Sequence, residues 1–159
     1  MNKKQYSFCG LFMGWLGGIF LLVLADQAAK FWAVSRLKGT AGITLFPGVL
    51  ELQYLENRGM AFGMLQGRQM LFLILCIIFC IALLWLFFKV PKTGYYFPLI
   101  MVSGILAGGA AGNFIDRVRF GYVRDFIYFK LINFPVFNVA DCYVTVSVVL
   151  LIILILFVY

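Results

Sequence analysis

Four long stretches of the chain carry no charged residue, and they limit its possible folds more than any other feature. They cover residues 5–25, 69–88, 93–115 and 142–159, and are 21, 20, 23 and 18 residues long. A helix needs roughly 17–25 apolar residues to cross the hydrocarbon core of a bilayer. The sequence therefore predicts a membrane all-α bundle of four transmembrane helices, with spans at about 7–25, 69–88, 94–115 and 142–159.

The composition supports a single integral membrane domain over residues 1–159. The chain is 64% hydrophobic, well above the level of soluble domains, and no inter-span segment is long enough for a second domain. Its net charge of +7 fits basic residues that flank spans and meet lipid headgroups. We therefore expect membrane lipids as partners and no nucleic acid. The chain has no histidine, which excludes Ser-His-Asp and Cys-His catalysis and argues against a metal site.

The segment between the first two spans has a different pattern. Glycine and proline punctuate it, and Leu50, Leu52 and Tyr54 alternate with Glu51 and Gln53. Because an unpaired strand edge cannot lie in lipid, this pattern predicts a small β-sheet at the membrane surface, over residues of about 42–64. In the third span, glycine recurs every fourth residue from 104 to 112, which predicts close packing of another helix.

Two questions about the spans stay open on charge and length alone. The first span follows a basic N-terminus and ends in Val23-Leu24-Ala25, as a cleaved signal peptide would; its length favours a retained span. An even number of spans puts both termini on one side. That side would hold four basic residues and the other nine, which argues against cytoplasmic termini, whereas the short "KVPK" turn is typical of a cytoplasmic loop.

All four aspartates lie within or beside a predicted span end. Asp26 closes the first span, Asp116 closes the third, Asp141 opens the fourth, and Asp125 lies in the connection between the last two. Carboxylates at membrane depth are costly and are functional candidates. Asp26 has a structural alternative as an i,i+4 ion pair with Lys30, and Asp116 as a residue that fixes a helix end.

Asp125 and Asp141 are expected to meet, because spans three and four reach the same side of the membrane. At about 4 Å and an effective dielectric near 20, two carboxylates repel by roughly 4 kcal/mol. This repulsion lifts the pKa of one aspartate from about 3.9 to near 7. Such a pair holds one proton at neutral pH, so one carboxylate can activate water while the other protonates a carbonyl oxygen.

Five motifs resemble those of a known family, and they run from the first span to the fourth. They are "DQAAK" (26–30), "NRGMAFG" (57–63), "GGAAGNFIDR" (108–117), "VRDF" (123–126) and "FNVAD" (137–141). In this order and on a four-span plan they resemble lipoprotein signal peptidase, also called signal peptidase II.

The resemblance implies a bacterial inner-membrane aspartic peptidase with cytoplasmic termini and an active site near the outer membrane surface. The substrate implied is a diacylglyceryl-modified prolipoprotein, cleaved before the lipidated cysteine, with no metal or other cofactor. We expect a monomer. The implied catalytic pair is Asp125 and Asp141. Substrate-binding or supporting roles are implied for Asp26, Gln27, Lys30, Asn57, Gly59, Asn113, Asp116, Arg117, Asn138 and Ala140.

Several expectations attach to these positions. Asn113 and Asn138 would orient the carboxylates without adding charge, and Arg117 would hold a carbonyl group or a neighbouring carboxylate such as Asp116. Ala29 stands where the family usually has threonine. Arg124 stands where it usually has an apolar residue, and its charge beside the pair would lower the pair's pKa.

Two other classes of function remain as alternatives. Clustered membrane carboxylates can serve a proton- or ion-coupled transporter, but these cluster at one surface, with no charge near the middle of any span. A non-enzymatic interaction protein could display the 26–68 segment, and it would not need Asp125 and Asp141 to touch.

Overall fold

A computed structural model describes residues 4–59 and 69–159. Within these ranges the chain forms four helices and a three-stranded sheet. In chain order they are α1 (Phe8–Leu37), β1 (Ile43–Phe46), β2 (Leu50–Asn57), α2 (Gln69–Lys89), α3 (Phe97–Phe120), β3 (Val123–Phe129) and α4 (Val139–Phe157). All four helices are long and apolar enough to cross a membrane. The predicted bundle of four spans with a small sheet is confirmed.

The helices differ from the predicted spans mainly in where they end. Helix α1 continues to Leu37, far beyond residue 25, so Asp26 lies inside the helix rather than at its end. Helix α3 runs to Phe120, so Asp116 also lies within a helix. Helix α4 begins at Val139, which places Asp141 in its first turn. The predicted first and third spans end too early because each stops at a charged residue. In the structure these residues are paired with opposite charges, and the helix continues through them.

Helix α3 is the centre of the bundle and contacts α1, α2 and α4. Its glycines explain how close the neighbours come. A Cβ at Gly104 would lie 3.0 Å from the Trp15 side chain, and one at Gly109 would lie 2.6 Å from the Ala140 carbonyl oxygen. The close helix packing predicted from the glycine spacing is therefore present, and α1 and α4 both pack closely on α3.

The apolar core lies in the half of the bundle away from the sheet. Trp15 of α1, Phe87 of α2, and Ile100 and Leu106 of α3 are all buried in one cluster. The Trp15 indole donates to the Ser103 hydroxyl at 3.2 Å, so its polar atom is satisfied within that core. Buried charges concentrate at the other end, beside the sheet.

The sheet has the order β1-β2-β3, and both pairings are antiparallel. Strands β1 and β2 fall in the predicted β region, whose residues 60–64 lie outside the described residues. Strand β3 lies outside that prediction, which assigns its segment to the connection between the last two spans. The β2–β3 register shifts between Leu52 and Leu55, just before Leu55 pairs with Asp125. Bulges of this kind re-aim side chains next to a site.

Two local features bring α3, β3 and α4 together. Gly121 has a φ of 77°, and its N–H caps α3 on the Arg117 carbonyl, so the chain turns directly into β3. Further on, the backbone of Phe137 pairs with that of Ile127, with N–H···O distances of 2.8 and 2.9 Å. This pairing holds the start of α4 against β3, which carries Asp125 and Asp141 to the same place.

Candidate active site

Asp125 of β3 and Asp141 of α4 line one cavity of about 470 Å³. Asn57, Gly59, Asn113 and Arg117 line it too, and most of the remaining wall is apolar. The structure thus brings the two aspartates to the same cavity. A mostly apolar cavity with a few convergent polar groups is the usual form of a site for a small or extended ligand.

Two asparagines hold the Asp125 carboxylate. Asn57 Nδ2 donates to Asp125 Oδ2 at 2.8 Å, and Asn138 Nδ2 donates to Asp125 Oδ1 at 2.6 Å. The Asn57 side chain is fixed in turn, because its Oδ1 accepts the Gly59 N–H at 3.0 Å. The structure therefore brings Asn57 and Gly59, from the end of β2, to the site that the sequence predicted for them.

The Asp141 carboxylate is held by the helix on which it sits and by α3. Asn138 caps α4 and forms a reciprocal box: its Oδ1 accepts the Asp141 N–H at 3.0 Å, and its own N–H donates to Asp141 Oδ2 at 3.1 Å. Asn113 Nδ2 donates to Asp141 Oδ1 at 2.7 Å. Asn138 therefore contacts both aspartates and sets their separation.

Burial, the larger cause, and the charge of Asp141 together raise the pKa of Asp125 from its ordinary value of 3.8 to about 7. The donated hydrogen bonds from Asn57 and Asn138 and the charge of Lys30 act in the opposite direction. The value agrees with the sequence-based expectation, but burial contributes more than the repulsion on which that expectation rested. Near neutral pH the pair can thus hold one proton.

A closed network of buried charges lies behind the cavity. Lys30 Nζ pairs with Asp26 at 2.8 Å and lies 3.5 Å from Asp116, while Arg124 pairs with Asp116 at 2.7 Å. Gln27 donates to Asp116 at 3.0 Å and accepts from Arg124 at 2.8 Å. The i,i+4 ion pair predicted for Asp26 and Lys30 is present. Two carboxylates meet two cations, so the network carries no net charge.

Arg124 does not act beside the pair as expected. Its side chain points to the face of β3 opposite Asp125, as alternation along a strand requires, and it is bound by Asp116 and Gln27. Lys30 is the cation whose charge lowers the pKa of Asp125. Arg117 also differs from one expectation: Asp116 takes Lys30 and Arg124 as its partners, and the Arg117 guanidinium lies over the Phe72 ring and lines the cavity.

Ala140 is fully buried and contributes its backbone, since its N–H donates to Asp26 Oδ1 at 2.9 Å. Sequence reasoning missed the apolar part of the cavity wall. The residues that form it are close to Asp125 or Asp141 in the chain, and this proximity was a usable signal. That wall is formed by Val123, Phe134, Pro135, Val136, Phe137, Cys142, Val144, Thr145 and Val146.

Comparison with known proteins gives one consistent result. The sequence model of the family described as signal peptidase (SPase) II matches residues 18–157. The chain is 40% identical over 134 residues to the lipoprotein signal peptidase of Streptococcus agalactiae serotype Ia. The aligned region covers 84% of this chain and 85% of the relative. The chain belongs to the signal peptidase II family. The lipoprotein signal peptidase of Halothermothrix orenii is 37% identical over 134 residues, covering 84% and 89% of the two chains.

Solved structures agree with this membership. A bacterial membrane enzyme determined by the in meso method at 2.3 Å superposes with a TM-score of 0.84 at 33% identity, covering 98% of this chain and 93% of that one. A second such enzyme, at 1.9 Å, gives a TM-score of 0.82 and covers 99% and 98%. This chain is thus an enzyme of the signal peptidase II type, in a multi-pass bacterial membrane setting, which argues against the transporter and the interaction protein.

Proposed function

We propose that this chain is an aspartic endopeptidase that removes the signal peptide from diacylglyceryl-modified prolipoproteins, cleaving before the lipidated cysteine. Membership of the signal peptidase II family supports the substrate class. The observation that carries the mechanism is the pair of buried carboxylates, Asp125 and Asp141, on one cavity and bridged by Asn138. Under this proposal the enzyme works as a monomer, with cytoplasmic termini and its cavity near the outer membrane surface.

The proposed reaction needs one proton on the pair. Asp125, whose pKa is about 7, carries that proton at rest, and Asp141 is the base. Asp141 takes a proton from water as the water oxygen attacks the scissile carbonyl carbon, and Asp125 gives its proton to the carbonyl oxygen. In the breakdown step, Asp141 gives its proton to the leaving amine nitrogen, Asp125 takes a hydroxyl proton from the tetrahedral intermediate, and the C–N bond breaks. The products are a carboxylic acid and an amine, and the pair is singly protonated again.

The remaining cavity groups have supporting roles in this proposal. Arg117 is placed to donate a hydrogen bond to a substrate carbonyl oxygen, since its guanidinium lines the cavity beside the pair. The apolar wall of residues 134–137 and of α4 would hold the substrate's apolar side chains or its lipid. Water is restricted by the same wall, which strengthens the electrostatic contacts to the reacting groups.

A cleavage assay tests the proposal. Purified enzyme in detergent is incubated with a diacylglyceryl prolipoprotein, and the product is followed by gel shift and mass spectrometry. We expect the parent to release a product that begins with the lipidated cysteine. Asp125→Asn and Asp141→Asn, each verified as folded, should lose about 10²- to 10⁴-fold in rate, the usual contribution of acid–base groups.

Glu51→Gln provides the matched control, because it makes the same carboxylate-to-amide change at a site outside the cavity. Glu51 pairs with Lys130 at 2.6 Å on the sheet. Its variant should cleave like the parent. Near-parent activity in either folded dyad variant would show that the pair is not catalytic, and cleavage at another bond would refute the proposed specificity.

A further inference from the structure

Lys30 is a fully buried lysine whose ammonium group lies between the charge network and the cavity. On one side it pairs with Asp26 at 2.8 Å and lies 3.5 Å from Asp116. On the other side its Nζ donates to Asn113 Oδ1 at 3.0 Å. That last contact leads toward the reaction, because the Asn113 amide nitrogen donates to Asp141.

The two ends of the Asn113 amide have opposite partners. Its Oδ1 accepts from two donors, Lys30 Nζ and Asn138 Nδ2, and its Nδ2 donates to Asp141 Oδ1 at 2.7 Å. A flipped amide would set its NH₂ group against the ammonium of Lys30 and its oxygen against the carboxylate of Asp141. Hydrogen bonds to charged groups contribute more than neutral ones, so the charge of Lys30 disfavours the flip strongly.

We propose that Lys30 is a positioning residue of the peptidase reaction: by holding the oxygen of the Asn113 amide, it keeps the amide nitrogen on Asp141 and fixes that carboxylate in the cavity. This inference rests on the proposed function, since holding Asp141 matters to the rate only if Asp141 reacts. Lys30 itself does not line the cavity and takes no part in proton transfer.

Lys30 is not the sole partner of the two carboxylates with which it pairs. Asp26 also accepts from the Ala140 N–H and from Gln27, and Asp116 also pairs with Arg124. The contact of Lys30 with Asn113 is separate from these ion pairs. A purely structural lysine would stabilise the network whatever residue stood at 113. A positioning lysine acts through Asn113, so its effect on the rate depends on Asn113 being present.

A double-mutant cycle separates these roles. The background is Asp26→Asn, which keeps an acceptor for Ala140 and balances the charge lost in Lys30→Met. The second change is Asn113→Leu, which removes the amide at similar volume. With Asn113 present, Lys30→Met should lower kcat about 10- to 100-fold. With Asn113→Leu, the same change should alter kcat by less than about threefold, because positioning through the amide is already lost. Both arms are measured well below pH 7, where Asp125 keeps its proton whether or not the charge of Lys30 is present.

KM gives a second readout. A residue that acts only on the reacting carboxylate lowers kcat and leaves KM within about twofold. An equal loss of kcat on both Asn113 backgrounds would overturn the inference and leave a structural role. The dyad variants distinguish the two proposals: if Asp125→Asn and Asp141→Asn are inactive and the cycle shows no coupling, only the positioning role fails; if either remains active, the proposed function fails.

A measurement without Lys30 variants covers the case in which they do not fold. In parent enzyme with ¹⁵N-labelled asparagine, the Asn113 side-chain amide signal is assigned by its loss in Asn113→Leu. That signal should shift in Asp141→Asn, where the acceptor changes, and stay in place in Glu51→Gln. An unshifted signal in Asp141→Asn would overturn the inference, because the amide nitrogen would then not lie on Asp141.

Discussion

At the residue scale, the pKa of Asp125 links the chemistry to pH. Burial and the charge of Asp141 raise it to about 7. Because the proposed reaction needs one proton on the pair, the rate should fall as pH rises through about 7 and the pair loses that proton. Single-turnover cleavage between pH 5 and 9 measures this. A rate that stays constant up to pH 9 would contradict a shared proton.

The same pKa has a consequence for stability. The folded pKa of about 7 exceeds the model-peptide value of 3.8, so the folded state binds more protons than the unfolded state between these values. The stability that Asp125 contributes is therefore complete below about 3.8 and is lost as pH rises through about 7. Asp125→Asn cannot ionise, so its Tm in detergent should exceed that of the parent by more at pH 8 than at pH 5. An equal difference at both values would refute this.

Individual residues also show what the sequence could and could not predict. The two aspartates could be paired because spans three and four reach the same side of the membrane, where Asp125 lies in the connection and Asp141 opens the fourth span. The orientation of each asparagine side-chain amide could not be predicted, because it depends on partners that are distant in the chain. Lys30, for example, lies 83 residues from Asn113. The side chain of Arg124 was misjudged because, without strand β3, alternation could not place it opposite Asp125.

At the element scale, the activity depends on how closely α3 and α4 approach. A Cβ at Gly109 would lie 2.6 Å from the Ala140 carbonyl oxygen, which is backbone and cannot rotate away. Gly109→Ala should therefore destabilise the enzyme by about 1–3 kcal/mol, as overpacking does, and lower cleavage by displacing Asp141.

Gly14→Ala in α1 is the control for this prediction, since a Cβ there meets nothing within 4 Å. It should leave the Tm unchanged or raise it slightly, because alanine favours the helix. Thermal unfolding in detergent and the cleavage rate measure both variants. If Gly109→Ala behaves like Gly14→Ala, the close packing of α3 on α4 does not support the site.

Elements were predicted well where the signal is local and poorly where it is not. Uninterrupted apolar windows located all four helices. Strand β3 was missed because Arg124 and Asp125 are adjacent charges, and the partner that makes it a strand, β2, lies about 70 residues earlier in the chain. The extension of α1 to Leu37 was missed because the charges of Asp26 and Lys30 end the apolar window, although their i,i+4 spacing allows them to pair on a longer helix.

At the scale of the whole molecule, the fold separates an apolar half from a polar end. The cluster around Trp15 and Phe87 fills one half, and α3, the start of α4 and the sheet converge on the cavity at the other. The substrate proposed here carries a lipid and a peptide segment. An enzyme with its polar groups at one end of a membrane bundle can meet both at the membrane surface.

Membrane orientation gives a prediction at this scale. Four spans place both termini on one side, and under the proposed function that side is the cytoplasm. A C-terminal fluorescent-protein fusion, which folds only in the cytoplasm, should fluoresce, whereas a C-terminal alkaline phosphatase fusion should be inactive. The reverse pattern would place the cavity at the cytoplasmic surface and contradict the proposed localisation.

If Asp125 and Asp141 share one proton near neutral pH, their carboxyl groups must show it, and these groups can be observed directly. The measurement is an NMR titration of enzyme labelled with ¹³C at the aspartate carboxyl carbons, with Asp125→Asn and Asp141→Asn used for assignment. A shared proton requires a carboxyl signal that titrates near pH 7 in the parent and is absent from Asp125→Asn. If every aspartate signal of the folded parent instead titrates below about pH 5, the pair is fully ionised at neutral pH and the proposed mechanism is wrong.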